Sequence, residues 1–166
     1  MKLEGRQLSA CVQNALDEQI DTDGYISYLR FSEKQMAFYA ENSFFRLMSQ
    51  CSSGVCFSFM TDGEILKLDC RTADLSRKVL QQIKGEMTFS EILQKLGETV
   101  IKVNQARSRL DIIQHFDLYQ DTHYLDAVRL GDSEIEFKLD NPQRQPVHVK
   151  IWLPLYKPLS IRSLDA

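Results

Sequence analysis

Apolar and polar side chains alternate over several short stretches of this chain, and between two groups of such stretches the repeat lengthens from two residues to nearly four. The first group opens within Asp17 to Phe31. Tyr25-Ile26-Ser27-Tyr28-Leu29-Arg30-Phe31 is aromatic and aliphatic enough for a strand, and Asp21-Thr22-Asp23-Gly24 before it is turn-forming. Ser32 is placed to cap a short helix, with Glu33 in its first turn and Gln35 leading into Met36, Phe38, Tyr39, Phe44, Phe45, Leu47 and Met48. Val55, Phe57 and Phe59 then alternate, as do Leu66, Leu68 and Cys70. Thr61-Asp62-Gly63-Glu64 separates the two runs, so the pattern predicts a hairpin with positive φ angles at its turn.

From Ala73 to about Gln114 the spacing is helical. Leu75, Val79, Leu80 and Ile83 form one stripe ended by Gly85. A second helix is signalled by a Thr88/Glu91 capping box with Met87 and Ile92 as its hydrophobic staple. Packing on the β core is the expected role of this pair, and a partner-binding helix is the alternative. Alternation resumes near Phe116 with Ile135, Phe137 and Leu139; Val147, Val149, Ile151 and Leu153; and Leu159, Ile161 and Ser163. Asn141-Pro142 separates the first two of these, and Pro154 and Pro158 bracket a loop because proline cannot continue a central ladder. The expected fold is mainly β with a helical insert over about 73–115: an α+β chain built as a two-sheet antiparallel sandwich, jelly-roll-like.

A length of 166 residues suits one domain able to bury a core without disulfides or metal. With 43% hydrophobic and 26% charged residues the chain is too apolar to be disordered. Its net charge of -3, with basic residues dispersed, excludes the footprint of a nucleic-acid binder. Glu4, Arg6 and Gln7 interrupt any apolar run in Met1 to Ala15, so no signal peptide is expected, and no stretch is long and apolar enough to span a bilayer. Cys11, Cys51, Cys56 and Cys70 form no CxxC pair and have no histidine at zinc-site spacing. Reduced thiols in a cytoplasmic protein are expected, with Cys56 and Cys70 as small buried hydrophobes.

Gly131-Asp132-Ser133 spells the start of a GDSL nucleophile block, but its context is wrong. A nucleophilic serine there needs a strand before the turn and a helix after it, whereas Glu134 to Leu139 reads as an alternating strand, so the tripeptide is a turn. No Asp-x-x-His spacing supplies an oriented imidazole. His115 ends the helical region and His123 lies in a polar loop sequence. His148 is opposite in parity to Val147, Val149 and Ile151, which predicts a solvated strand histidine. His123 beside Asp121 and Asp126 has the composition of a metal site, but exposure is the expected state. The seven glycines form neither GxGxxG nor a P-loop, and Asp21-Thr22-Asp23-Gly24 lacks the later ligands of an EF-hand. No catalytic residue, metal site or cofactor is expected in this chain.

Val147-His148-Val149-Lys150-Ile151-Trp152-Leu153-Pro154 followed by Leu159-Ser160-Ile161-Arg162-Ser163-Leu164 resembles the closing strands of the N-terminal sandwich domain of bacterial SGNH/GDSL-type hydrolases. Gly54 to Asp62 resembles that family's central hairpin, and Phe116-Asp117-Leu118-Tyr119 a further strand; the helical insert is a departure from it. The resemblance implies a non-catalytic N-terminal domain, residues 1–166, with an SGNH hydrolase domain following Ala166 as its partner. It implies a parent that hydrolyses acyl esters, acetylated carbohydrate among them, through a serine outside this chain. It also implies that Trp152, Leu153, Pro154 and Tyr156 lie near the exit and pack on that domain or rim its cleft. A stand-alone carbohydrate- or protein-binding sandwich is the alternative function, and a homo-oligomer is left open.

Overall fold

Where alternating strands bury their apolar sides against each other, two sheets must stack, and the computed structural model shows this arrangement for residues 2–41, 49–72, 115–131, 134–155 and 158–166. The predicted helical pair between 73 and 114 lies outside the described residues, as do Phe44, Phe45, Leu47 and Met48.

One sheet contains β1 (Lys2–Glu4), β3 (Asp17–Ile20), β4 (Ile26–Leu29), β6 (Ile65–Thr72), β9 (Glu134–Lys138) and β11 (Leu159–Asp165). Its order is β3-β4-β11-β6-β9, with β1 also paired to β11. The other contains β2 (Val12–Gln13), β5 (Cys56–Thr61), β7 (His115–Gln120), β8 (His123–Arg129) and β10 (Val147–Trp152). Its order is β2-β5-β10-β7-β8. All pairings described are antiparallel. The expected two-sheet antiparallel sandwich is therefore the observed fold. Its core joins Tyr28, Leu66, Leu68, Phe137 and Ile161 from the six-stranded sheet to Phe57, Phe116, Leu118, Val149 and Ile151 from the five-stranded one. Tyr28 meets Phe57 edge-on at 5.7 Å, and Phe116 meets Phe137 edge-on at 5.5 Å, so aromatic pairs bridge the layers.

The predicted hairpin at Asp62-Gly63 is not formed. β5 pairs with β2 and β10, whereas β6 pairs with β11 and β9, so the connection is an arch that carries the chain from one sheet to the other. Gly63 is not among the glycines with positive φ. Its requirement is space: a Cβ there would lie 3.2 Å from the backbone of Ala166 and 3.3 Å from Thr61 Oγ1. Asn141, buried at 4% exposure, staples this arch. Its amide donates to Gly63 O at 3.2 Å and Gln145 O at 2.8 Å, and its Oδ1 accepts from Gln145 N at 3.1 Å.

A tight hairpin does occur one turn signal earlier, joining β3 to β4 through Asp21-Thr22-Asp23-Gly24. Asp21 Oδ1 accepts from the backbone of Asp23 and Tyr25 at 2.8 and 3.0 Å, and Gly24 takes φ 79°. The helix after Ser32 is α2 (Glu33–Tyr39), where Gln35 Oε1 accepts from Ser32 N at 2.9 Å. A five-residue helix, α1 (Gly5–Ser9), buries Leu8 against the core and had no sequence signal. In β11 the expected alternation is broken by a bulge between Ile161 and Ser163. Arg162 keeps its outward place and bonds Asp69, while Leu164 is buried in the core next to buried Ser163.

A polar and aromatic face as candidate functional site

The two sheets present different outer faces. Along β6, β9 and β11 the outward positions Lys67, Arg71, Glu134, Glu136, Lys138 and Arg162 are exposed and charged. On this face Tyr25 lies between Arg71, 4.3 Å from its ring centre, and Arg162, 5.0 Å away. Both guanidiniums are paired with aspartates: Arg71 with Asp21 and Asp23, and Arg162 with Asp69, to which the Tyr25 hydroxyl also donates at 3.0 Å. Burial opposes ionisation of Asp21, but the backbone donors of Tyr25 and Asp23 and the Arg71 charge outweigh it and hold its carboxyl below its ordinary range.

The outer face of the five-stranded sheet is half-buried and chemically mixed. Register sets its rows. Gln13, Cys56, Trp152, Asp117 and Ala127 lie across the sheet in one row, and Ser58, Lys150, Tyr119 and Tyr124 in the next. Lys150 Nζ sits 4.5 Å above the Trp152 ring, and Tyr119 meets Tyr124 edge-on at 5.4 Å. His148 follows with its Nε2 2.8 Å from Ser58 Oγ. Its predicted orientation away from Val149 and Ile151 is observed, but it is half-buried and bonded rather than solvated. Backbone contacts fix both partners: Ser58 N donates to Cys11 O at 2.7 Å, His148 N donates to Asp121 Oδ1 at 3.1 Å, and Asp121 N donates to His148 O at 2.7 Å.

Asp117 faces Trp152 across the β7–β10 pair, and burial raises its carboxyl pKa while the nearby His115 charge offsets part of that rise. A carboxyl whose pKa is higher folded than unfolded binds more protons in the native state. Its contribution to stability therefore falls as pH rises from the ordinary carboxylate value through the raised folded one. Asp117→Asn is accordingly expected to raise the melting temperature at neutral pH and to give no such gain near pH ~3, where the unfolded carboxyl also binds its proton. Equal shifts at both pH values in thermal melts would rule out this electrostatic origin.

The remaining sequence candidates do not converge. Leu153 and Pro154 are buried within the domain, Trp152 is half-buried, and Tyr156 lies outside the described residues. Leu155 beside them is 42% exposed. This loop leads into the start of β11, whereas Ala166 follows its far end, roughly 20 Å away at the rise of an extended strand. Trp152 thus lies toward the opposite end of β11 from Ala166. Asp132 and Ser133 lie outside the described residues, and β9 starts at Glu134. His123 opens the edge strand β8, a strand with no sequence forecast, and is exposed; His115 opens β7. No group of potential metal ligands occurs among the described residues.

None of the four cysteines forms a disulfide, and Cys51, Cys56 and Cys70 are buried. Burial pushes the Cys51 thiol up to about 11 and the Cys70 thiol up to about 12, so neither is a poised nucleophile. One open cleft of about 310 Å³ is lined by residues that include Ser9, Leu16, Glu18 and Tyr28. There Ser9 Oγ donates to Glu18 Oε2 at 2.7 Å, and burial pushes the Tyr28 phenol up to about 12. No helix among the described residues is long and apolar enough to cross a membrane.

The fold thus defines an antiparallel β-sandwich with an ordered polar face. Solved structures similar to this fold include the following two. A salicylyl-acyltransferase from a tetracycline biosynthetic pathway is similar over 99% of this chain and 39% of its own, with a TM-score of 0.62 and 14% identity. A putative GDSL-like lipase from Bacteroides ovatus is similar over 100% of this chain and 40% of its own, with a TM-score of 0.57 and 14% identity. The chain therefore spans about two fifths of the length of these proteins. No family model matches the sequence, and no curated protein does.

Proposed function

We propose that this chain is the non-catalytic N-terminal sandwich domain of a GDSL-type ester hydrolase or acyltransferase, and that it packs on the hydrolase domain and shapes its substrate cleft. The supporting observation is one of coverage. The whole chain aligns with about two fifths of a GDSL-like lipase and of an acyltransferase, which leaves room in each for a separate catalytic unit. The closing Trp152-Leu153-Pro154 run supports the same reading.

The parent acts on acyl esters through a serine beyond Ala166, and its hydrolase domain is the partner. Trp152, Leu153, Pro154 and Tyr156 belong to the segment that meets or rims it. Because Trp152 lies far from Ala166, that domain has to reach back over the end of the sandwich that carries Trp152.

The test is to read the gene past codon 166 and express the longer product. The expected frame continues into a Gly-Asp-Ser block and a distal Asp-x-x-His, and the longer protein turns over aryl esters that the 166-residue chain does not. A stop codon at that point, or steady-state turnover by the short chain, would overturn the proposal.

A further inference from the structure

The Ser58–His148 pair has no part in an accessory packing role, and its geometry is reactive. A hydroxyl becomes nucleophilic when a neutral imidazole nitrogen within about 2.6–3.2 Å can take its proton. Ser58 Oγ and His148 Nε2 are 2.8 Å apart. They project from neighbouring central strands whose register places His148 opposite Met60 and Ser58 opposite Lys150. The pair is preorganised. Both backbones are tied by the contacts to Cys11 and Asp121 already described, and the hydrogen bond between Oγ and Nε2 sets the two side chains toward each other.

Three neighbours complete the setting. Lys150 is paired with Ser58 in the register and carries a cation on the same face, its Nζ held over the Trp152 ring. Trp152 and Tyr119 offer half-buried aromatic surface on which an acyl or aryl group can rest. Two features of a turnover enzyme are missing among the hydrogen bonds described: no carboxylate accepts from the His148 ring, and the backbone donors of this interior strand pair are committed to the ladder.

We infer that Ser58 is an acyl-acceptor site primed by His148, taking an acyl group from an activated ester or thioester and holding it as a serine ester. In the step, Ser58 Oγ bonds to the carbonyl carbon of the donor and its proton passes to His148 Nε2. The bond from carbonyl carbon to the leaving oxygen or sulfur then breaks, and the phenol or thiol departs with the proton from His148. Release by water is slow because no acid among the described residues orients the imidazole, so acylation is stoichiometric rather than catalytic. The site is independent of the accessory-domain reading: a stop codon after 166 leaves it untouched, and an unreactive Ser58 leaves that reading untouched.

The test is to incubate the 166-residue chain with p-nitrophenyl acetate and locate acetyl groups by mass spectrometry of the intact protein and its peptides. The expected result is one equivalent of nitrophenol released and one acetyl group on Ser58. Ser58→Ala should lose that label. His148→Gln, which keeps a hydrogen-bonding side chain but no base, should label Ser58 at least tenfold more slowly while its melting curve remains cooperative. Acetyl groups confined to lysines, or Ser58 labelling at an unchanged rate in His148→Gln, would overturn the inference.

Discussion

Phe57→Ala is expected to remove about 3–5 kcal/mol of stability, which is a large share of the 5–15 kcal/mol typical of a whole domain. Phe57 is fully buried on the inner side of β5 and packs edge-on against Tyr28 from the opposite sheet. Truncation removes an aromatic ring from the interlayer contact and leaves a cavity that two hydrogen-bonded sheets cannot collapse to fill. Met60→Ala on the same strand is the control, because Met60 is 54% exposed on the outer face and should cost no more than about 0.5 kcal/mol. Urea denaturation of both variants measures the difference. Similar costs for the two would mean that Phe57 does not bridge the layers.

The alternation that placed Phe57 and Phe59 inward also placed Leu66, Leu68 and Cys70 inward, and both placements hold. What alternation does not encode is the identity of the neighbouring strand. Two runs joined by Asp-Gly bury the same sides whether they pair with each other or face each other across the core. The arch is decided by distant residues: Asn141 bonds Gly63 O, and Ala166 lies close against the glycine. At Asp21-Thr22-Asp23-Gly24 the information is local. The aspartate caps its own turn and the glycine takes the left-handed conformation, so that turn was visible, although polar β3 was not. β8 was hidden for a similar reason. As an edge strand it buries little on either side, and its sequence, with Asp126 and His123 exposed, carries no clean period.

The candidate face was legible only in fragments. Parity put His148 on the outer side, but its partner Ser58 is 90 residues away in sequence and belongs to the run read as half of a hairpin. Once that run is paired with β10 instead, Ser58 and His148 become diagonal neighbours, and Lys150, Trp152 and Cys56 join the same surface. A motif search cannot find such a pair, because strand pairing rather than spacing brings it together. The Gly131-Asp132-Ser133 tripeptide shows the converse. It matches a motif in sequence, yet a strand begins at the very next residue, Glu134, where a nucleophile turn would need a helix.

Asn141→Ala is expected to cost about 2–3 kcal/mol, because it leaves buried backbone groups without partners rather than removing apolar area. The side chain supplies donors to the carbonyls of Gly63 and Gln145 and an acceptor to Gln145 N, and Asn141 itself is 4% exposed. Gln145 is exposed, so water can replace part of what its backbone loses; Gly63 O, in the arch against Ala166, has less access. Asn141→Asp separates the two roles. It keeps the acceptor for Gln145 N but, when ionised, sets a carboxylate against two carbonyl oxygens with no proton to share. That carboxyl should titrate above its unfolded value, so the variant should be weakest at neutral pH and regain stability as the group protonates and donates again. Thermal melts of both variants between about pH 4 and pH 7 provide the measurement, spanning the range where a raised carboxyl titrates. An Asn141→Ala protein as stable as the parent, or an Asn141→Asp protein whose deficit does not shrink on acidification, would mean that the arch is held by packing around Gly63 and not by this hydrogen-bonded staple.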